Sequence, residues 1–421
     1  MRILFFNDLH DYGLGSSIRQ MYQEARCLRS RGHETAVVSC TQDPSAPAEI
    51  EVDGCRVFLI HSDYPVRFRA WVSLDNARVR APLERILAAW KPDVVHSHLI
   101  HAHLGYASLT AARKAGAGVV FTAHDAMTFC YQKLTCFHGG EAELGEQRDY
   151  RARASKCIPC QRFRFRPGRN RAIRGVLERD VHRFTVVSDE LGVVCRANDI
   201  RVDRTVYNAI PLDESPVVSA ERAEAFRAKH GLTGKKVLAI GGRLHSQKGV
   251  GKLLEMVALL APEFPELRLI VMGKRDIYDQ EFEPQARGLG VANLVVPTGW
   301  LSGDELESAY AATDVFVTPS ICFDTFGLVN LEAMRYGKPV VASCFGGLPE
   351  VVVDGETGFI ENPFKVEAFA GKIQVLLSDP ALAQRMGAAG ALRLRNQFGI
   401  ERLTEEFLEE YELAREGAQK G

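Results

Sequence analysis

The 421-residue sequence contains no long hydrophobic run and almost no net charge. No uninterrupted apolar stretch approaches the roughly 18 residues of a membrane-spanning helix. The apolar run at residues 3–6 is too short for the hydrophobic region of a secretory signal. Lysine and arginine together number 52 and acidic residues 53, so the net charge of −1 provides no overall attraction to nucleic acid. These absences predict a cytoplasmic protein that does not bind nucleic acid.

The features that are present indicate an ordinary folded protein. The fractions of apolar residues (46%) and charged residues (25%) are typical of globular proteins, and the length suffices for two domains. Ten cysteines without a secretory signal indicate reduced thiols or metal ligands rather than a disulfide framework.

The stretch from residue 315 to residue 360 has the most informative pattern. A β-branched apolar run at 315–318 predicts a buried parallel strand, which ends at Pro319 and Ser320. After a loop, residues 326–336 show helical periodicity, and Gly337 ends that helix before a strand at 339–343. The sequence therefore predicts a strand–loop–helix–strand unit.

The start of this helix has the properties of a phosphate site. A helix beginning near Phe326 presents unpaired N–H groups and the positive end of its dipole, and Gly327 allows a ligand to approach the backbone. Asp324 and Glu332 add a carboxylate at each end of this cradle. A nucleotide sugar, with a hexose on one side of its phosphates and a ribose on the other, suits that arrangement. The alternative is an ordinary βα unit whose acids face solvent.

Two other strand ends carry candidate ligand-binding residues. Gly242 and Arg243 follow a predicted strand at 236–240, and Lys248 lies five residues further on, which predicts a cationic pocket for phosphate. His124 follows a predicted strand at 119–122, at the edge where α/β sheets bind ligands, although a structural strand-end histidine is the alternative.

A histidine cluster precedes His124 and invites a metal interpretation. Its members straddle a strand end and the start of a helix predicted over residues 102–114, with no acidic or cysteine partner nearby in the sequence; they are His96, His98, His101 and His103. A role in capping or lining the loop is therefore favoured over metal binding.

Residues 128–172 are the most unusual segment. Cys130, Cys136, Cys157 and Cys160 lie in an irregular insertion and are spaced to form a tetrahedral structural zinc site. Reduced or redox-active thiols are the alternative. The same insertion alternates arginine and phenylalanine at 162–166, and residues 65–71 also interleave cations with apolar side chains. Such stretches suit an anionic acceptor, nucleic acid or a membrane surface, but a solvated face is the more common explanation.

The order of motifs predicts the domain organisation. An opening βαβ pattern, with Gly13 and Gly15 before its helix, is typical of a Rossmann-like half. A polar, proline-containing stretch at 211–231 predicts a linker before a second βα series. The domains are expected at residues 1–211, including the insertion at about 128–172, and at residues 212–395, followed by a helix at 396–421.

Several of these motifs resemble one known family. Asp324-x7-Glu332, with Phe326-Gly327 between them and Gly337-x-Pro339-Val340 after them, resembles the E-x7-E signature of the family 4 retaining glycosyltransferases. Gly346-Gly347-Leu348-Pro349-Glu350 and Asp354-Gly355-x-Thr357-Gly358 match the segments that come after the signature in that family. Asp324 is a departure, since the family usually has glutamate there. The resemblance implies an α/β fold with GT-B architecture: two Rossmann-like domains facing each other across a cleft, with the last helix packing back on the first domain.

The resemblance also implies residue roles. Glu332 would hold the ribose hydroxyls, while Asp324 and His124 would contact the donor hexose. The implied catalytic residues are His124, Arg243, Lys248 and Asp324. The implied donor-binding residues are Gly15, Gly242, Arg243, Lys248, Gly273, Asp324, Phe326, Gly327, Leu328 and Glu332.

Together these expectations describe a retaining hexosyltransferase that needs no cofactor or catalytic metal. The donor would be a UDP- or GDP-type sugar, and the acceptor a sugar, a lipid-linked molecule or a small molecule, with peripheral contact at the inner membrane face. No nucleophile is identified, and the resemblance suggests a front-side mechanism in which the leaving phosphate accepts the acceptor proton. A nucleotide-sugar epimerase and a non-catalytic sugar-nucleotide-binding protein on the same fold are the alternatives.

Overall fold

The computed structural model describes residues 1–11, 15–212 and 218–420. The chain divides into two compact units. The first unit comprises Met1–Leu134, Tyr150–Pro211 and Ile400–Gly421, and the second comprises Thr135–Asp149 and Leu212–Gly399. Gly13, one of the two glycines noted in the opening loop, lies outside the described residues.

An eight-stranded sheet forms the centre of the first unit. Its order is β3-β4-β2-β1-β5-β6-β7-β8, and all neighbouring strands are parallel except the β3–β4 hairpin. The strands are β1 (Arg2–Phe6), β2 (Glu34–Thr41), β3 (Glu49–Val52), β4 (Cys55–His61), β5 (Val94–Ser97), β6 (Gly118–Ala123), β7 (Arg183–Val186) and β8 (Arg204–Thr205). The helices are α1 (Ser16–Ser30), α2 (Arg69–Val72), α3 (Ala77–Trp90), α4 (Ala107–Lys114), α5 (Ala154–Gln161), α6 (Arg169–Asp180), α7 (Asp189–Ala197) and α17 (Ile400–Lys420).

The C-terminal helix α17 completes the core of the first unit. Its apolar residues recur every three or four positions and are buried against the sheet; they include Leu403, Phe407, Tyr411 and Ala414. A Cβ atom on Gly118 of β6 would lie 2.7 Å from the Ala414 carbonyl carbon, so the helix backbone rests directly on the sheet at that point.

The second unit is built on a six-stranded, fully parallel sheet of order β11-β10-β9-β12-β13-β14. The strands are β9 (Lys236–Gly241), β10 (Leu267–Met272), β11 (Val295–Gly299), β12 (Val315–Thr318), β13 (Val340–Ser343) and β14 (Gly358–Glu361). The helices are α8 (Ala220–Lys229), α9 (Val250–Leu260), α10 (Arg275–Ile277), α11 (Glu283–Gly288), α12 (Gly303–Ala312), α13 (Leu328–Arg335), α14 (Leu348–Val351), α15 (Val366–Ser378) and α16 (Pro380–Gln397). Two parallel-sheet α/β domains, as predicted from the sequence, are confirmed.

Two sequence predictions about local structure need correction, and one hairpin was not predicted. The helix expected over 102–114 begins only at Ala107, because the Asp8 carboxylate accepts hydrogen bonds from the amides of residues 102–104 at 2.7–2.9 Å and holds them in a turn. The linker expected over 211–231 contains α8, which begins where the Ser219 hydroxyl accepts a hydrogen bond from the Arg222 amide at 3.2 Å. The β3–β4 hairpin was not predicted, although its Asp53-Gly54 turn, with φ of 50° and 67°, is a known hairpin signal.

The structure also differs from the expected position of the insertion. Residues 135–149 group with the second unit, whereas the flanking residues belong to the first. The remainder of the insertion is partly helical, since it contains α5 and the start of α6.

Candidate functional site

The sheet order of the second unit creates a crevice beside β9. β10 lies on one side of β9 and β12 on the other, so the connections that leave the carboxyl ends of β9 and β12 diverge. The loop after β9 carries Arg243 and Lys248, and the loop after β12 carries Ser320 and Asp324. Ligands of open α/β sheets bind at such switch points.

Lys248 and Asp324 meet at this switch point. The Nζ atom of Lys248 lies 2.5 Å from Oδ2 of Asp324, and the Ser320 hydroxyl donates to the same oxygen at 3.0 Å. Burial alone would lower the pKa of Lys248, but the Asp324 carboxylate and the Cys322 thiol outweigh this effect, and the pKa of Lys248 is raised. The positive charge of Arg243 opposes that rise, because it disfavours a second positive charge on the nearby Lys248. Two predicted phosphate-binding cations and one predicted sugar-binding carboxylate are therefore neighbours.

Two glycines allow the loops to approach each other. Gly249 has φ of 75°, and a Cβ atom there would lie 1.8 Å from the Pro319 carbonyl oxygen. Gly346 has φ of 74°, and a Cβ atom there would lie 2.0 Å from the carbonyl oxygen of Asp324. Any other residue at either position would push the loop away and displace Asp324 from Lys248.

The start of α13 follows Asp324, as the sequence predicts, but two residues later than expected. Gly327 is the N-cap residue with φ of 83°, and the helix proper begins at Leu328. The side chain of Phe326 is buried and its ring packs against that of Phe398 with centroids 5.8 Å apart. Leu328 is also buried. Phe326 and Leu328, which were both predicted to bind the donor, can therefore offer it backbone groups rather than side chains.

Glu332 lies on α13 and has a partner that the sequence did not indicate. The Tyr310 hydroxyl, from α12, donates a hydrogen bond to Oε2 of Glu332 at 2.7 Å. The Tyr310 ring in turn stacks on Tyr336 with centroids 5.5 Å apart. Glu332 is half-buried and is held in one orientation by this contact.

The remaining predicted glycines of the second unit shape the same edge of the sheet. Gly242 has φ of 103°, and its amide donates to the Met272 carbonyl at 3.0 Å. A Cβ atom on Gly273 would lie 2.3 Å from Cγ of Leu244. The turn after β10 therefore has room for the Leu244 side chain from the turn after β9 only because Gly273 has no side chain of its own.

Residues 135–149 support the Asp324 loop from the other side. The Nε2–H group of His138 donates to the Ile321 carbonyl at 2.7 Å, while its Nδ1 accepts from the Gly140 amide at 2.9 Å. Phe137 is fully buried, and its ring lies 5.9 Å from that of Phe323. Burial lowers the pKa of His138, so the neutral ring holds the loop three residues before Asp324. Sequence reasoning missed this support, because nothing in an irregular insertion indicates its partner.

In the first unit, the switch point lies between β1 and β5, where His98 follows β5. Nδ1 of His98 lies 2.7 Å from Nε2 of His124, which follows the adjacent strand β6. One of the two rings must therefore donate and the other accept. Burial, together with the charges of nearby groups, lowers the pKa of His124 to about 3, so the ring is neutral. Gly15 occupies the N-cap position of α1 with extended backbone (φ 172°).

The histidine cluster separates into different contacts. His96 bonds the Tyr411 hydroxyl through Nδ1 and the Thr122 hydroxyl through Nε2, each at 2.7 Å. Within the described ranges, Glu24, His96 and His98 are the only group of three metal-ligating side chains whose ligand atoms lie within 4.8 Å of one another. Glu24 is the acidic neighbour that the local sequence did not reveal. Hydrogen bonding satisfies both His96 nitrogens, so the group forms a buried polar network joining α1, β5 and α17.

The four cysteines of the predicted zinc site are divided between the two units. Cys130, Cys157 and Cys160 belong to the first unit and Cys136 to the second. In the parts of the chain that the structure describes, no three of these sulfur atoms lie within 4.8 Å of one another. Thiolates suit zinc, but this arrangement does not by itself show a metal site. No described helix is long and apolar enough to cross a membrane.

Two family models match the chain. The model described as Glycosyltransferase Family 4 matches residues 19–214, and the one described as Glycosyl transferases group 1 matches residues 222–393. The first therefore falls largely within the first unit, and the second falls within the second unit.

Curated relatives and solved structures agree with these matches. The chain is 29% identical over 409 residues to the glycogen synthase of Mycobacterium tuberculosis, which covers 92% of this chain and 87% of the relative. It is 39% identical over 167 residues to the sulfoquinovosyl transferase of Arabidopsis thaliana, a match to 39% of this chain and only 31% of that protein. The structure of Anabaena HepE in complex with UDP-glucose matches with a TM-score of 0.70 at 17% identity, covering 97% of this chain and 98% of the other. This likeness shows the fold alone, and the predicted GT-B architecture is confirmed.

Proposed function

Since the chain belongs to the GT-B glycosyltransferases of the family 4 type, we propose that it transfers a hexose from a UDP- or GDP-linked sugar with retention of configuration. The observation that carries this proposal is the convergence of Lys248 and Asp324 at the β9–β12 switch point. A nucleotide-sugar site needs a cation for the phosphates and a carboxylate for the sugar hydroxyls, and the two must lie within a few ångströms of each other.

The leaving diphosphate is the group for which the cations are suited. Arg243 and Lys248 would neutralise the charge that develops on the diphosphate, and the first amides of α13 would add hydrogen bonds to it. In this proposal the two cations and the helix start stabilise the diphosphate, so the reaction would need no catalytic metal. The proton of the acceptor hydroxyl would pass to the departing phosphate in a front-side displacement.

The carboxylates divide the rest of the donor in this proposal. Asp324 would bind hydroxyls of the hexose, and Glu332, fixed by Tyr310, would bind those of the ribose. His124 is neutral, so it would contact the hexose as a hydrogen-bonding group rather than as an acid. The UDP-glucose complex of HepE supports a nucleotide-sugar donor.

The experiment is incubation of the purified protein with a panel of UDP-, GDP- and ADP-linked hexoses and simple acceptors. NMR should show release of one nucleoside diphosphate and a product with the donor's anomeric configuration, unchanged when a chelator of Mg²⁺ is added. Interconversion of donor sugars without release of diphosphate would instead identify an epimerase. Binding of donors with neither reaction would identify a non-catalytic protein, and an inverted product would overturn the retaining mechanism.

A further inference from the structure

Two segments of the first unit that are about 90 residues apart in sequence form one surface. The first is residues 66–72, which include α2, and the second is residues 154–166, which include α5. The Arg166 guanidinium donates to the carbonyls of Ala70 and Trp71 at 3.4 Å. Tyr131 joins them further, since its hydroxyl donates to the Arg166 carbonyl at 3.0 Å and its own carbonyl accepts from Arg69 at 2.6 Å. We call this surface the aromatic–arginine face.

The aromatic–arginine face exposes large apolar side chains. The exposed fractions are 74% for Phe163, 68% for Val66, 48% for Ile158, 45% for Phe68 and 40% for Trp71. Among the described residues, four phenylalanine, tyrosine and tryptophan side chains are exposed, and three of them lie on this face; the fourth is Trp300 in the second unit. Concentrated exposure of this kind marks an interaction surface rather than ordinary scatter.

The face is also strongly basic. Residues 66–72 and 154–166 contain six arginines and lysines and no acidic residue, in a chain whose net charge is −1. Arg67, Arg162 and Arg164 are exposed, and no carboxylate in the described ranges pairs with them. The Arg164 guanidinium lies over the Phe163 ring at 5.6 Å, and that of Arg67 over the Phe68 ring at 5.1 Å, so charge and apolar surface alternate at close range.

We propose that the aromatic–arginine face docks the protein on the surface of a membrane that contains anionic lipids. Aromatic and aliphatic side chains enter the boundary between headgroups and acyl chains, while arginines beside them bind lipid phosphates. Single-stranded nucleic acid also binds basic aromatic surfaces, but there the apolar contribution comes from bases stacked on rings. Val66 and Ile158 cannot stack with bases, whereas they partition readily into lipid, so the composition favours a membrane.

Sedimentation with vesicles tests the proposal. Vesicles of phosphatidylcholine and phosphatidylglycerol in equal amounts should bind the full-length protein, vesicles of phosphatidylcholine alone should not, and added salt should weaken the binding. Replacing Arg162 and Arg164 together by alanine should lower the partition coefficient roughly 25-fold, since each arginine near an anionic surface contributes about fivefold. Phe163→Ser with Trp71→Ser should also release the protein.

Trp300→Ser is the matched control, because it removes the exposed aromatic side chain of the second unit, which is not part of the aromatic–arginine face. This variant should sediment with the vesicles like the wild type. Donor binding and the melting temperature, measured for each variant, identify any that fail to fold. Equal sedimentation of the arginine variant and the wild type would overturn the proposal. So would tighter binding of single-stranded RNA than of the anionic vesicles in the same buffer.

Discussion

The Nζ atom of Lys248 lies 2.5 Å from Oδ2 of Asp324, so a residue expected to bind phosphate and one expected to bind sugar are paired before any ligand is considered. In the proposed reaction a donor would divide this pair, drawing the ammonium toward its diphosphate and the carboxylate toward its hexose. The Asp324 carboxylate accordingly raises the pKa of Lys248, whose side chain is 32% exposed.

Replacing Asp324 should therefore affect binding and turnover in opposite directions. Asp324→Asn leaves the Lys248 charge available, so the variant should bind the bare nucleoside diphosphate at least as tightly as the wild type. Turnover of the best donor should fall roughly 100-fold, because a contact to the hexose is lost. Calorimetry with the nucleoside diphosphate measures its dissociation constant, and a steady-state assay measures the turnover of the donor. Weaker binding of the bare diphosphate by Asp324→Asn would show that Asp324 contacts the nucleotide instead.

The two cations should each be essential for rate. Arg243→Ala and Lys248→Ala should lower kcat/KM for the donor by roughly 10²–10³, because each removes charge stabilisation of the departing diphosphate. Arg287→Ala is the control, since Arg287 is an exposed cation of the same unit that pairs with Glu283 at 2.7 Å. If Lys248→Ala turned over donor as fast as Arg287→Ala, the assignment of the diphosphate pocket would be wrong.

Tyr310 should act on nucleotide affinity through Glu332. Tyr310→Phe removes the hydroxyl that donates to Glu332 at 2.7 Å, and a hydrogen bond to a carboxylate contributes about 1.5–3 kcal/mol. The dissociation constant of the nucleoside diphosphate should rise roughly tenfold. Tyr336→Phe keeps the ring that stacks on Tyr310 and should bind like the wild type. A change in kcat at unchanged affinity would contradict a role in holding the ribose carboxylate.

Acid should destabilise the first unit through its buried histidines. Burial lowers the pKa of His124 to about 3, while an unfolded histidine titrates near 6.5. Between these values the unfolded chain binds more protons than the folded one, so the free energy of unfolding should decrease as pH falls from about 6.5 toward 3, by up to about 1.4 kcal/mol per pH unit for this residue. Denaturant titrations at several pH values should show a shallower dependence for His124→Gln than for the exposed control His61→Gln.

The zinc site stays a proposal with a direct measurement. If the four cysteines bind zinc, elemental analysis of freshly purified, reduced protein should find about one zinc per chain, and Cys160→Ser should lose it. Cys27→Ser lies outside the motif and should retain the metal. Protein without zinc would rule the site out and leave the proposed transfer reaction unaffected.

The sequence was most informative where one local pattern determined the structure. The strand at 315–318 was predicted residue for residue as β12, because a β-branched apolar run that ends at Pro319 after four residues is too short for a helix and favours a buried strand. Cations after β9 and the carboxylate after β12 were also predictable, since strand ends are visible in the sequence. The contact between Lys248 and Asp324 could not be predicted without the strand order. That order places β12 next to β9, although 73 residues separate the two strands in sequence.

Partners from distant elements could not be predicted. His98 and His124 are 26 residues apart and meet only because β5 and β6 are adjacent in parallel register. Tyr310 precedes Glu332 by 22 residues on another helix, and no spacing rule connects them. The turn at 102–104 depends on Asp8, which lies 94 residues earlier. In each case the interaction is determined by tertiary packing, which overrides the local propensity.

The placement of residues 135–149 limits how this protein can be recombined with its relatives. A hybrid joined once near residue 211 would inherit Phe137 and His138 from one parent and the Phe323 ring and Ile321 carbonyl from the other. In the hybrid, the loop that carries Asp324 would then be packed against residues 135–149 of a different parent. A functional exchange would have to transfer residues 135–149 together with the second unit, so the proposed donor site is encoded by two separate stretches of the gene.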